Sequence, residues 1–511
     1  MKTRALFAAL GLLALVPCWV VRYVPTVDGP SHVYNAWIEA HLDDTERFPA
    51  LAEYFALDRR PLPNWTSQAV LRALLAVIPP AAAEKVLVSG YVVLFLLAAW
   101  LFAGAVDPSR SWLAFLAFPF VFNVTLHSGF YSFCWSLAFF LLALGVWWRG
   151  RERPGLRFAA VVNGLLLLCY FSHIVSLVLA LVALAVLWLA TLPAAVRAGA
   201  LRRHLLHVPI LLPQAILPLW FLSVQRHEAV IGPSASFPSW STLFLPRALY
   251  TFGGWPQRLI LVLVFLVLVL LTLRRRWTEG GGALHWREED AFAVLSVVLA
   301  AVYFLAPDEM AGGSMVKLRL TLYPWLVLLP WLAPPPAPAL RRGLVAGLAL
   351  LAVWDLALVA TRYRARDREV TAFLAAADGM APNTRAVALV FGPDGVFPGP
   401  LRLFHVFDRA AAAQGLVDLE DYEASTDLFP VRFKSPVHRL PTDRIAEEPQ
   451  SVDPWSLGGE IDYFYCWNLQ PDSAVARWLE RRYRLIREEG DARLFERRDR
   501  VRRARQEAEA P

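Results

Sequence analysis

Cysteine and lysine are scarce in this chain, at four of each among 511 residues. The cysteines, Cys18, Cys134, Cys169 and Cys466, show neither metal-ligand spacing nor an apparent pairing, which excludes a disulfide-stapled secreted scaffold. Charge is short as well. Asp, Glu, Lys and Arg make up 18% of the residues, where soluble domains carry about a quarter. Neither a disordered chain nor an ordinary cytosolic enzyme fits that balance. There is no internal repeat and no glycine-rich loop to cradle a phosphate. What is abundant is apolar: 57% hydrophobic residues, 20 Trp and 31 Phe, with a mean hydropathy of +0.44.

The apolar surplus is uneven. Residues 364–511 hold 25 of the 43 acidic and 22 of the 50 basic residues. A large membrane part is therefore followed by a water-soluble tail of about 150 residues, a typical domain size. The net charge of +7 does not point to nucleic acid, because the basic excess lies in the membrane part, where loop positives orient helices. Eleven spans are expected, near 5–23, 86–105, 111–126, 130–148, 157–171, 173–191, 204–224, 257–274, 290–306, 317–333 and 341–361. With the N-terminus inside, the cytoplasmic segments carry 16 Lys/Arg and the short outer loops 5. Reading 157–191 as one helix would place Arg202, Arg203 and Arg274–Arg276 outside, against that asymmetry. Arg362, Arg364, Arg366 and Arg368 form a counter-signal on the outer side. Lys2 and Arg4 precede an apolar run in which no small-x-small cleavage site follows, so an uncleaved first membrane helix is expected there.

The first outer loop, 24–85, contains two amphipathic helical patterns, from Ser31 and from Asn64, with Pro61 and Pro63 between them. The tail reads as α/β: strands at 385–391 and 461–467, a helix over 471–483 starting at Asp472, and a hairpin over 483–498 turning at Gly490-Asp491. Residues 499–511 are charged and expected to be disordered.

Asp28, in VDGPSH just past the first span, is the most informative residue. Asp28 or Ser31 can cap the helix that follows, with Pro30 in its first turn. The same carboxylate is also a candidate general base at the membrane surface, with His32 near enough to tune it or share a metal.

An acidic residue at the outer end of the first helix, followed by a long loop with two surface helices, resembles the GT-C superfamily of polytopic glycosyltransferases. That group includes protein mannosyltransferases, aminoarabinose transferases and bacterial relatives. Members often carry a paired-acid motif in this loop. Here Asp28 alone holds the matching place, with Asp43, Asp44 and Asp58 further along. The resemblance implies a polyprenyl-phosphate-linked sugar as donor and a glycan, lipid or protein acceptor at the outer membrane face. Nothing in the spacing supports a divalent metal, so its involvement is left open.

Transfer from a lipid phosphate needs a deprotonated acceptor and positive charge on the leaving phosphate. Asp28 suits the first role. Lys317 and Arg319, in SMVKLRL, suit the second, although Lys and Arg at helix ends also snorkel. Asp308 and Glu309 precede them. His127, in NVTLHSGF, and His173, in CYFSHIV, sit where apolar spans meet, and either lines a polar cavity or bridges carbonyls in a tight hairpin. Arg226, His227 and Glu228 are weaker donor contacts.

The expected fold is mainly α: a polytopic helical membrane protein, GT-C-like over 1–363, with a small extracytoplasmic α/β domain over 364–498. The expected activity is inverting glycosyl transfer at a bacterial inner membrane. Asp28 is the base, Lys317 and Arg319 hold the donor phosphate, and His32, His127 and His173 line the cavity. A transporter or lipid flippase would instead put polar residues at mid-membrane in repeated halves. A scaffold serving the tail would lack convergent polar groups.

Overall fold

The computed structural model describes all residues except 1, 225–238, 250, 253–254, 310–312, 336, 393–402, 436–439, 441–444, 446–447, 454–456, 458–460 and 500–511. The chain forms two compact units. The first comprises Met1–Val20, Pro61–Thr66 and Val88–Arg362, and the second Val21–Arg60, Ser67–Leu87 and Tyr363–Pro511.

The helices of the first unit follow from long apolar runs. Seven helices among the described residues are long and apolar enough to cross a membrane: Lys2–Trp19, Pro80–Ala103, Tyr131–Gly150, Ile174–Arg197, Leu201–Val224, Trp255–Glu279 and Pro338–Leu374. The other four expected spans take different forms. Leu156–Ser172 and Ala291–Leu305 are helical but only 17 and 15 residues long. The 111–126 run is a 3-10 helix, Pro108–Phe120, with Pro119 inside it and its last ten residues buried. The 317–333 run is broken into Val316–Leu320 and Tyr323–Leu326. Pro324 and Pro330 remove backbone donors there, and a non-helical backbone at membrane depth survives only where protein satisfies it. Ser296 Oγ donates to the Pro324 carbonyl at 2.8 Å, Arg110 to that of Pro330 at 2.9 Å, and Thr272 Oγ1 accepts from Ala333 N at 2.8 Å.

The 157–191 stretch is two helices. His173 has extended dihedrals (φ −164°, ψ 123°), and its ring accepts from Val175 N, capping the second helix. In Leu201–Val224 the helix changes to a 3-10 turn at Leu212–Ala215, where Pro213 enters. Tyr131–Gly150 is the most enclosed span, with 83% of its apolar window buried, so it is the axis on which its neighbours pack.

In the second unit the first-loop segments and the tail share one core. Helix Gly29–His41 is buried on nearly every face because Tyr34, Trp37 and Ile38 all enter that core. The Tyr34 hydroxyl donates to the Leu416 carbonyl at 2.8 Å and accepts from Asp418 N at 3.0 Å. Strand β1 (Phe55–Leu57) pairs antiparallel with β4 (Val431–Phe433), Phe55 opposite Phe433. The main sheet has the order β3-β2-β5-β7-β6, with β2 at Arg385–Val390, β3 at Val417–Asp418, β5 at Tyr463–Trp467, β6 at Tyr483–Glu489 and β7 at Ala492–Arg497. The pairs β2–β3 and β2–β5 are parallel, and the β6–β7 hairpin turns at Gly490, φ 60°.

Two local expectations shift. The tail helix is Ala474–Arg482, and its cap is Ser473, whose side chain accepts from Ala476 N, not Asp472. Gly415 ends helix Asp408–Gln414 at φ 71°, where a Cβ would meet Phe48 Cε1 at 2.6 Å, so only glycine fits. Expected disorder at 499–511 falls on residues outside those described, apart from Asp499.

Candidate functional site

Asp28 and His32 belong to the second unit. Asp28 is the N-cap of helix Gly29–His41 but makes no side-chain capping bond, because its own dihedrals are helical (φ −88°, ψ −9°). Ser31 does not cap either: its hydroxyl donates to Asp421 Oδ1 at 3.4 Å. Asp28 Oδ1 stands 3.8 Å from His405 Nε2, and the Asp28 side chain keeps 18% of its surface exposed. His405 packs its ring on Tyr422, with centroids 4.6 Å apart. Burial, reinforced by nearby His32, pushes the His405 imidazole down to about 3, so it is neutral at physiological pH. A neutral ring beside Asp28 offers it one N–H rather than a full charge.

His32 lies one helical turn beyond Asp28 and is largely taken up elsewhere, with Nδ1 2.5 Å from Glu423 Oε1. Beneath it lies a buried group of carboxylates: Asp408, Asp418, Glu420, Asp421 and Glu423. Burial and mutual repulsion raise several of them. Asp418 is pushed up to about 6 by burial, and Asp421 to about 8 by burial and the Glu423 charge. Asp421 Oδ1 accepts from Asn35 Nδ2 at 3.0 Å and from Glu423 N at 3.1 Å. Among the described residues no group of three or more His, Cys, Asp or Glu is placed to hold a metal ion. Asp58, a possible second acid from the sequence, is bound to Arg60 and Arg432, which hold it below the usual carboxylate range despite partial burial.

His127, His173, Lys317 and Arg319 belong to the first unit. Arg319 is buried with its guanidinium 4.2 Å over the Phe130 ring and 5.7 Å from that of Phe133. His173 meets the edge of the same Phe133 ring at 5.3 Å. Phe133 therefore gathers Arg319 and His173 into one group, which continues through Tyr323. The Tyr323 hydroxyl is 2.6 Å from Ser176 Oγ, which also bonds Ser136 Oγ. Lys317 is buried nearby in sequence, and its backbone N–H donates to Asp308 Oδ1 at 2.9 Å. Asp308 thus fixes the start of helix Val316–Leu320, which follows Met315 at φ 58°. Burial of both cations is not what snorkelling to an interface produces. His127 stands in another set of contacts: Nδ1 is 2.7 Å from Thr251 Oγ1 and the ring meets Phe252 at 4.7 Å. Arg226, His227 and Glu228 lie outside the described residues.

Sequence reasoning missed His405, Tyr422, Glu423 and Tyr323. The run VDLEDYE (417–423) was visible as acidic, but an acidic run is ordinarily a solvated face. Only packing shows that this one is buried.

No family model matches the chain, and no curated protein matches it in sequence. Among solved structures it is similar to ArnT from Cupriavidus metallidurans, an aminoarabinose transferase. That likeness has a TM-score of 0.52 at 11% identity, and covers 97% of this chain and 98% of the other. Arabinofuranosyltransferase AftD from Mycobacteria also matches, with a TM-score of 0.44 at 16% identity, over 96% of this chain and 40% of its own. The likeness to ArnT runs from end to end of the chain and shows that the two share a fold.

Proposed function

We propose that the protein is an inverting glycosyltransferase that moves a sugar from a polyprenyl-phosphate donor to an acceptor at the outer face of a bacterial inner membrane. Asp28 is the base. It takes the proton of the acceptor hydroxyl or amine as that group attacks the anomeric carbon from the side opposite the phosphate. The carbon–oxygen bond to phosphate breaks, and its electron pair leaves with the phosphate oxygen. Lys317 and Arg319 neutralise that charge, Arg319 through the two parallel hydrogen bonds a guanidinium makes to phosphate. His173 and Tyr323, grouped with Arg319 around Phe133, line the donor side.

The observation that carries the reading is Asp28. It occupies a cap position without capping, stays partly exposed, and has a neutral imidazole at its Oδ1. A carboxylate whose purpose was to cap would point at its own helix. Asn caps about as well as Asp, so Asp28→Asn separates the roles. As the base, Asp28 is worth roughly two to four orders of magnitude in turnover. The D28N protein should therefore accumulate normally and lose that much transfer from a polyprenyl-phosphate sugar. Transfer at the wild-type rate would end the assignment.

A further inference from the structure

At the N-terminal end of its first helix the first unit carries a groove of about 360 Å³ lined by none of the residues proposed for transfer. Its walls come from three elements: helix Lys2–Trp19, the 3-10 helix Pro108–Phe120, and the start of helix Pro338–Leu374. Three arginines line it, Arg4 from the first and Arg341 and Arg342 from the last. None of the three makes an ion pair among the described residues. The acid next to the groove is already engaged: Asp107 Oδ1 accepts from Ser109 N at 2.8 Å, and its other oxygen is 3.9 Å from Arg110.

Three like charges around one groove repel unless an anion lies between them. The groove wall also includes Trp112, 4% exposed, whose indole Nε1 is buried and has no hydrogen-bond partner among the described residues. Beside these donors the lining is apolar, with Leu6, Trp100 and Val345. Cationic donors at one end and an apolar wall at the other match an amphiphile with an anionic head. Loop positives alone orient helices without any groove. The gathering of three arginines around one open groove with an apolar wall is what that rule leaves unexplained.

We propose that this groove binds the phosphate of an anionic phospholipid, with Arg4, Arg341 and Arg342 on the phosphate oxygens and an acyl chain against Leu6, Trp100 and Val345. The lipid would join the first and last helices of the unit through a charge neither supplies. The site does not depend on the transfer reaction, so its test does not involve turnover.

The test uses the purified full-length protein in phosphatidylcholine nanodiscs with a minor fraction of phosphatidylglycerol, and native mass spectrometry counts the lipid retained. Wild type should keep one phosphatidylglycerol against excess phosphatidylcholine. R4Q/R341Q/R342Q should lose it, with affinity down about a hundredfold at roughly fivefold per basic residue. R202Q/R203Q, which removes positives from a different loop, should keep it. Equal retention by the groove variant, or equal loss in the R202Q/R203Q control, would overturn the site. Should the triple variant not fold, R341Q and R342Q carry the same test singly, each expected to lose about fivefold. Inorganic phosphate in place of lipid distinguishes the sources. If phosphate alone occupies the groove and phosphatidylglycerol does not compete with it, the lipid assignment fails.

Discussion

The two units handle buried charge in opposite ways. In the first, the buried cation Arg319 lies on Phe130 and Phe133, and the surrounding polar groups are hydroxyls and imidazoles. In the second, five carboxylates are buried close together; burial raises the proton affinity of four of them, and repulsion adds to it in Asp408, Glu420 and Asp421. A cation over an aromatic face keeps its charge, because the ring's negative face attracts it without removing it. Carboxylates crowded together instead hold protons. In the proposed mechanism the first arrangement would receive a phosphate, and the second would stand beside one partly exposed acid, Asp28.

The largest effect that would sharpen this contrast, after loss of the Asp28 charge, is expected at His405. If its ring only fills space, His405→Phe should be harmless. If its N–H positions the Asp28 carboxylate, H405F should lower kcat about a hundredfold with little change in donor KM, the scale of a misplaced catalytic group. H405N keeps a donor and should recover part of the loss. A shift confined to KM, or no rescue by Asn, would break the link between the acid cluster and catalysis.

A smaller effect is expected on the cationic side. Arg319→Lys preserves charge and can still sit over Phe130, but it loses the planar fork. Dependence on the polyprenyl-phosphate donor should weaken by about 1–3 kcal/mol, while yield and detergent-extracted stability stay level. Equal donor affinity and turnover would leave Arg319 a purely structural cation.

The smallest effect is on stability, and it has a definite sign with pH. Folding raises Asp421 from the ordinary carboxylate range to about 8, chiefly by burial and then by the Glu423 charge. The folded state then binds the proton more tightly than the unfolded one. That contribution is complete below about pH 4 and is lost as pH climbs through about 8. Asp421→Asn removes the titration and keeps an oxygen for the Asn35 and Glu423 donors. The thermal midpoint of D421N should match that of wild type below about pH 4 and exceed it by a margin that widens as pH rises toward 8. A difference that stays constant with pH would mean that the carboxylate is not held protonated.

The membrane character, the break at His173 and the tail's strands were legible because each is a local pattern: apolar length, loop charge, and alternating or continuous hydrophobic runs. Asp28 stood out as a candidate for the same reason, as an acid just beyond the first expected span. Helix regularity was not. Pro119 and Pro324 lie inside runs that hydropathy reads as spans, and whether the chain bends or breaks there depends on partners such as Ser296, Thr272 and Arg110.

Sequence by itself thus determined where the chain is apolar enough for lipid and where its charge concentrates. Tertiary structure alone decided that the first loop and the tail share one core, joined by Tyr34 to Leu416 and Asp418 and by β1 to β4. It alone placed His405 beside Asp28 across 377 positions of chain. The reason is physical. Hydropathy and capping act over a few residues, so they are written locally. A hydrogen bond, a strand pair or a shifted pKa depends on groups that only the folded core brings together.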